Sequence, residues 1–179
     1  DAIFQSLNLV YDEGPEYVVV FGADHVYRMD PEQMITSHIE SGSGVSVAGI
    51  RMHKSQADQF GVIETGPDGR RISNFLEKPA NPPTIPGDDE HCYVSMGNYV
   101  FTADALKEEL QRDQGDDESA HDFGEIILPT MVARGRRVFI FDFGTNIIPG
   151  EGAATYWRDI GTIQSYFDAH MDLVNIEPE

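Results

Sequence analysis

The stretch VVVFGADHVY, residues 18–27, decides how the chain folds. Tyr17 and Val18 begin an unbroken apolar run that reaches Phe21. An apolar run without alternation is the pattern of a strand covered on both faces, as in a parallel sheet. The run ends in Gly22-Ala23, and then Asp24 and His25 stand where the buried strand gives way to a loop. A turn or cap aspartate is the plain reading of Asp24. The next residues weaken it: Asp30-Pro31-Glu32-Gln33 has an N-cap, a proline suited to the first helical turn and a capping-box spacing. The following helix therefore has its own cap, and Asp24 is left at the carboxyl end of a strand, where open α/β sheets bind ligands.

Outward from this point the pattern alternates between strand and helix. Gly42 and Gly44 close the first helix, and residues 45–50 read as the next strand, making a βαβ unit that favours a parallel sheet. Residues 61–79 contain two extended runs flanking Gly66-Pro67-Asp68-Gly69, a hairpin. Residues 80–90 hold three prolines without periodicity and read as an exposed loop. Residues 94–101 form a strand, 103–111 a helix and 113–119 a polar loop. Asp122 and Glu125 have capping-box spacing ahead of a helix carrying Ile126, Ile127, Met131 and Val132. Residues 137–143 are a strand, and Thr162 caps a helix running to about Leu173. Before all this, Ile3, Leu7 and Val10 fall on one helical stripe. The expectation is an α/β fold, Rossmann-like, with a mostly parallel sheet, helices on both faces and an inserted β-hairpin. The chain lacks an initiator Met and ends just past a helical pattern, so both ends read as interior positions of a longer chain.

Composition narrows the function. The 179 residues are 40% hydrophobic, enough for a core, and suit one domain. Twelve Lys+Arg oppose 31 Asp+Glu, a formal net charge of −19. That field repels nucleic-acid backbones, and a phosphate ligand would need a metal or placed cations. Cys92 is the single cysteine, so there is no internal disulfide. No apolar run reaches membrane-spanning length. A soluble, cytoplasmic protein without nucleic-acid or membrane partners is expected.

Three residues stand out for chemistry. Asp159, in YWRDIGT (156–162), is a second carboxylate before a helix, either a charge favourable to that helix dipole or a partner for Asp24. Two such carboxylates suit Mg²⁺, which takes one or two protein carboxylates and completes its shell with water and substrate phosphates. Lys78 is one of only three lysines, with Lys54 and Lys107. It is either a solvated strand-end residue or a point charge for a phosphate. Other patterns carry nothing. DFG occurs at 122–124 and 142–144 without a kinase's other motifs, and no Walker A, G-x-G-x-x-G or G-x-S-x-G is present.

The order of GADHVYRMD (22–30), FGVIE (60–64), FLEKPANPP (75–83), SMGNYVF (95–101), HDFGEIILP (121–129) and YWRDIGT (156–162) resembles the bacterial ADP-glucose pyrophosphorylases, almost from end to end. The resemblance implies that residues 1–179 are the C-terminal portion of a nucleotidyltransferase catalytic domain. The N-terminal nucleotide loop would lie upstream and a β-helix domain downstream. It implies ATP and α-D-glucose 1-phosphate as partners, Mg²⁺ as cofactor, a homotetrameric and allosterically regulated full-length enzyme of glycogen biosynthesis, and little activity in residues 1–179 alone. It assigns Asp24 and Asp159 to the metal and Lys78 to the sugar phosphate; Glu77, Ser95 and Gly61 line the sugar-phosphate site. The family usually has Ala-Gly before the first aspartate, where this chain has Gly22-Ala23. Alternatives are a related sugar-1-phosphate nucleotidyltransferase using another base, or a non-catalytic sugar-phosphate-binding or regulatory copy.

Overall fold

The computed structural model describes residues 2–150, 152–153 and 156–174. Asp1 and residues 175–179, read above as interior positions of a longer chain, lie outside the described residues. Helices α1 (Ala2–Gln5) and α2 (Leu7–Glu13) carry the expected stripe, with Leu7 buried and Ile3 and Val10 packed against the core. Strand β1 (Tyr17–Val20) follows, then the short β2 (His25–Tyr27). Helix α3 (Pro31–Ser41) starts at the expected cap, where the Asp30 carboxylate accepts the Glu32 N–H at 3.0 Å. Gln33 does not complete a capping box. Its amide donates to Asp30 Oδ2 and the Ile147 carbonyl, while Asn146 accepts the Asp30 N–H and donates to the Asp30 carbonyl. A buried asparagine from a distant loop has taken the task that the local spacing suggested.

The main sheet is built from β3 (Val45–His53), β4 (Gly61–Thr65), β5 (Ile72–Glu77), β6 (His91–Thr102) and β7 (Val138–Asp142), in the order β5-β4-β6-β3-β7, with β1 also on β6. The α/β class holds, but the pairing corrects the expected neighbours. β1, β3, β4 and β7 run the same way, yet among the described residues only β3 and β7 form a parallel ladder. β6 runs the opposite way and separates β1 from β3, so the βαβ strands are parallel without touching. The hairpin joins the main sheet through β4 and β6 instead of standing apart, and past its turn Arg70 accepts the Ile140 N–H on β7.

Alternation along β3 and β6 supplies both faces. Val45, Val47, Tyr99 and Phe101 pack with α1, α2, α4 (Ala103–Gln114) and α5 (Leu128–Ala133). Ala48, Met96 and Val100 pack with Met34 and Ile35 of α3 on the other side. Asp122 caps as expected, though its first turn, Phe123–Ile127, is a π-helix ahead of α5. β1 is less covered than its apolar run implies. Among the described residues it pairs along one edge only, and Val19 and Phe21 are exposed.

Two small ribbons complete the fold: β8 (Ile147–Ile148) with β9 (Gly152–Ala153), and β2 with β10 (Trp157–Asp159). Helix α6 (Ile163–Asp172) follows, with Thr162 and Ser165 forming a reciprocal capping box. None of the described helices is long and apolar enough to cross a membrane.

Candidate active site

One irregularity in the sheet creates the site. Along its outer edge β6 pairs first with β4, at Tyr93 and Val94, and later with β1, from Tyr99 onward. Between them its register with β3 slips, because Val47 faces Tyr99 but Gly49 faces Ser95. This bulge is centred on Gly97, whose φ of +72° is left-handed and suits glycine. The β2–β10 ribbon lies against this part of β6. A Cβ on Gly97 would stand 2.9 Å from Cε1 of His25.

The ribbon brings the two distant aspartates together. His25 pairs with Asp159 in the β2–β10 ladder, and the Ile160 N–H donates to the Asp24 carbonyl at 3.2 Å. Asp24, His25 and Asp159 each offer a ligand atom, all within 4.8 Å of one another. Nε2 of His25 is 3.7 Å from Asp24 Oδ1 and 3.6 Å from Asp159 Oδ1. The Asp24 side chain is 72% exposed and that of Asp159 33%, so both can exchange water for a ligand. Hard carboxylate oxygens at this spacing fit a divalent cation such as Mg²⁺. Helix α6 anchors the strand: Arg158 and the Tyr156 hydroxyl both donate to Asp172, at 2.6 and 2.9 Å.

Lys78 opens onto the same cleft as Asp159, a space of about 450 Å³ lined also by Phe60, Trp157, Arg158 and Thr162. Its side chain is 60% exposed, with the ammonium 3.4 Å from Glu77 Oε1. Lys78 has φ +44°, rare for a residue with a side chain and contrary to the extended form usual before proline. Such strain gathers at functional positions. Here the Lys78 N–H donates to the Phe60 carbonyl at 3.1 Å, which helps hold the turn.

Ser95, Gly61 and Glu77 line up across three strands. Gly61 faces Glu77 in the β4–β5 ladder, and it adjoins the Val62–Val94 pair that precedes Ser95. A side chain on Gly61 would strike the Phe75 ring at 2.9 Å, so this floor stays open and flat. Burial pushes the Tyr99 hydroxyl up to about 12; the Ser95 hydroxyl beside it works the other way, and the charges of Asp122 and Glu77 add to the rise. The Tyr99 ring stacks on Phe123 at 5.6 Å. Gly124 is close enough that a Cβ there would sit 3.4 Å from Glu77 Oε2. The first DFG tripeptide, set aside as uninformative, thus backs the Glu77 carboxylate.

All six sequence-derived positions therefore lie around one region, with Asp24 and Asp159 at one end and Ser95, Gly61 and Glu77 at the other. The sequence reading did not single out the roles of His25, Gly97 and Trp157. A glycine in the middle of a strand pattern was the available signal, because it marks a bulge or a close approach.

A carboxylate just past β1, a second carboxylate across the β2–β10 ribbon and a lysine on the cleft beside it thus sit together on an α/β domain. A family profile described as nucleotidyl transferase matches residues 1–176. The chain belongs to the nucleotidyl transferase family. It is 58% identical over 99% of its length to a glucose-1-phosphate adenylyltransferase of Streptomyces avermitilis. It is 55% and 56% identical to proteins of the same name from Frankia casuarinae and Mycobacteroides abscessus. It spans 44%, 43% and 44% of those three relatives, less than half of each.

Proposed function

We propose that this chain supplies the sugar-phosphate side of a glucose-1-phosphate adenylyltransferase. The supporting observation is the meeting of Asp24 and Asp159 beside a cleft that also holds Lys78. The relatives' name supplies the substrates. In the reaction, a phosphate oxygen of α-D-glucose 1-phosphate attacks the α-phosphorus of ATP. The bond between that phosphorus and the bridging oxygen to the β-phosphate breaks, and pyrophosphate leaves, giving ADP-glucose.

Both reactants are anions, and the chain carries a formal charge of −19. Local cations must overcome that repulsion and align the attacking oxygen. Asp24 and Asp159 would hold Mg²⁺, which supplies charge neutralisation at the reacting phosphates. The Lys78 ammonium holds the phosphate of glucose 1-phosphate. Glu77 accepts hydrogen bonds from sugar hydroxyls, and Ser95 offers a hydroxyl beside the flat floor at Gly61. Residues 1–179 form the C-terminal portion of the catalytic domain, in a cytoplasmic, allosterically regulated homotetramer serving glycogen biosynthesis.

The test is ADP-glucose synthesis by the intact enzyme and its Asp24→Asn, Asp159→Asn and Lys78→Ala variants. Each Asn variant should lose at least about a hundredfold in kcat, since metal stabilisation of phosphoryl charge is worth several kcal/mol. Lys78→Ala should raise KM for glucose 1-phosphate by roughly 10- to 100-fold, the worth of one charge-assisted contact. Full activity in both Asn variants would refute the reading.

A further inference from the structure

His25 occupies a place built for it. Its ring edge faces two glycines: a Cβ at Gly22 would meet Nδ1 at 3.1 Å, and one at Gly97 would meet Cε1 at 2.9 Å. The Trp157 ring covers it, centroids 5.4 Å apart, and Phe60 in turn packs on Trp157. Nδ1 is buried with no hydrogen-bond partner among the described residues. Nε2 faces outward, nearly equidistant from Asp24 Oδ1 and Asp159 Oδ1 at 3.7 and 3.6 Å. A ring that only filled space would not need a polar atom centred between two carboxylates. Nor would it need two neighbours without side chains.

We propose that His25 is a positioning residue that sets the separation of Asp24 and Asp159, presenting an Nε2–H to both. The proposal rests on the reading of those aspartates as a cation-binding pair. Two carboxylates this close repel each other unless something positive lies between them. An N–H dipole aimed at both lowers that repulsion and keeps the pair in place for an ion. The tautomer follows from the surroundings: a proton on Nε2 faces two acceptors, whereas one on Nδ1 would be buried without any. The separations exceed a hydrogen bond, so the N–H attracts both oxygens without committing to either. Imidazole is also a poor match for Mg²⁺, which prefers oxygen, so a role beside the ion suits it better than a place on it.

The experiment measures binding of Mn²⁺ and Co²⁺ to the intact protein, Mn²⁺ by the electron paramagnetic resonance of the free ion and both by calorimetry. The variants are His25→Leu, His25→Gln and Asp24→Asn. Leucine and glutamine both fill the slot, but only glutamine keeps an N–H near Nε2. His25→Leu should weaken Mn²⁺ roughly 10- to 100-fold, the usual penalty for losing a partner of a metal-binding carboxylate. His25→Gln should recover part of it, with affinity for glucose 1-phosphate unchanged in both. Leu and Gln variants with equal Mn²⁺ affinity would overturn the proposal. So would a much larger loss for Co²⁺ than for Mn²⁺, which marks a direct imidazole ligand. Asp24→Asn separates the two readings. If it abolishes binding while His25→Leu does nothing, only the role of His25 fails; if it too does nothing, the carboxylate pair itself is misassigned.

Discussion

Replacing Gly97 with alanine tests the geometry of the site through stability, with Gly135 as an internal control. Both residues have φ of +72°, so in both an L-side chain incurs the same left-handed penalty, about 1–2 kcal/mol. Alanine also narrows the unfolded ensemble equally at the two positions, and that gain cancels in the comparison. The surroundings differ. A Cβ on Gly135 meets nothing within 4 Å among the described residues, whereas one on Gly97 lies 2.9 Å from the His25 ring. That ring cannot retreat easily, with Gly22 on one side and Trp157 against its face. Forcing extra volume into such a packed position costs about 1–3 kcal/mol. Gly97→Ala should therefore be less stable than Gly135→Ala by about that amount. The difference is roughly 2–12 °C in Tm for a domain of this size. Urea unfolding of both variants, with Mn²⁺ binding measured alongside, is the assay. Only Gly97→Ala should weaken the ion. Equal stabilities and intact Mn²⁺ binding in both would refute the slot as the reason for Gly97.

Three further predictions follow from other parts of the fold. His38 is buried, with Nδ1 2.9 Å from Ser46 Oγ and Nε2 3.2 Å from Thr102 Oγ1, and burial lowers it from 6.5 to about 4. Between those values the unfolded chain takes up a proton that the folded chain refuses, so stability falls as pH drops from 6.5 towards 4, by up to about 3 kcal/mol. Urea unfolding at pH 7 and pH 4.5 should show that fall, and His38→Gln should reduce it. The Glu109 carboxylate is fully buried and accepts from Arg112 at 3.0 Å, Arg134 at 3.0 Å and Arg136 at 3.1 Å, tying α4 to the segment between α5 and β7. Glu109→Ala removes their shared carboxylate while Arg134 and Arg136 keep Glu108, and should cost about 1.5–3 kcal/mol by chemical denaturation. Lys78→Gly relieves the +44° backbone, so it should match or exceed Lys78→Ala in Tm while binding glucose 1-phosphate just as weakly. A glycine variant less stable than the alanine one would show that the backbone there is unstrained.

Local signals in the sequence determined the elements. Asp30 and Thr162 cap α3 and α6 because a short polar side chain reaches the free N–H groups of the first turn, which depends on neighbouring residues alone. Gly66-Pro67-Asp68-Gly69 makes the hairpin turn for the same reason, with Asp68 accepting the N–H groups of Arg70 and Arg71. The excess of acidic residues and the freedom of Asp24 from capping were equally legible. Strand order was not. Nothing local states that β6, late in the chain, separates β1 from β3, because pairing is decided by which faces can be buried together. The Asn146 clamp on Asp30 escaped for the same reason. Family resemblance could assign Asp24 and Asp159 to one ion, but only the β2–β10 ladder brings them together. The placement of His25 between them depends on a bulge at Gly97 and on the ring of Trp157, contacts that exist only once residues distant in sequence have been packed side by side.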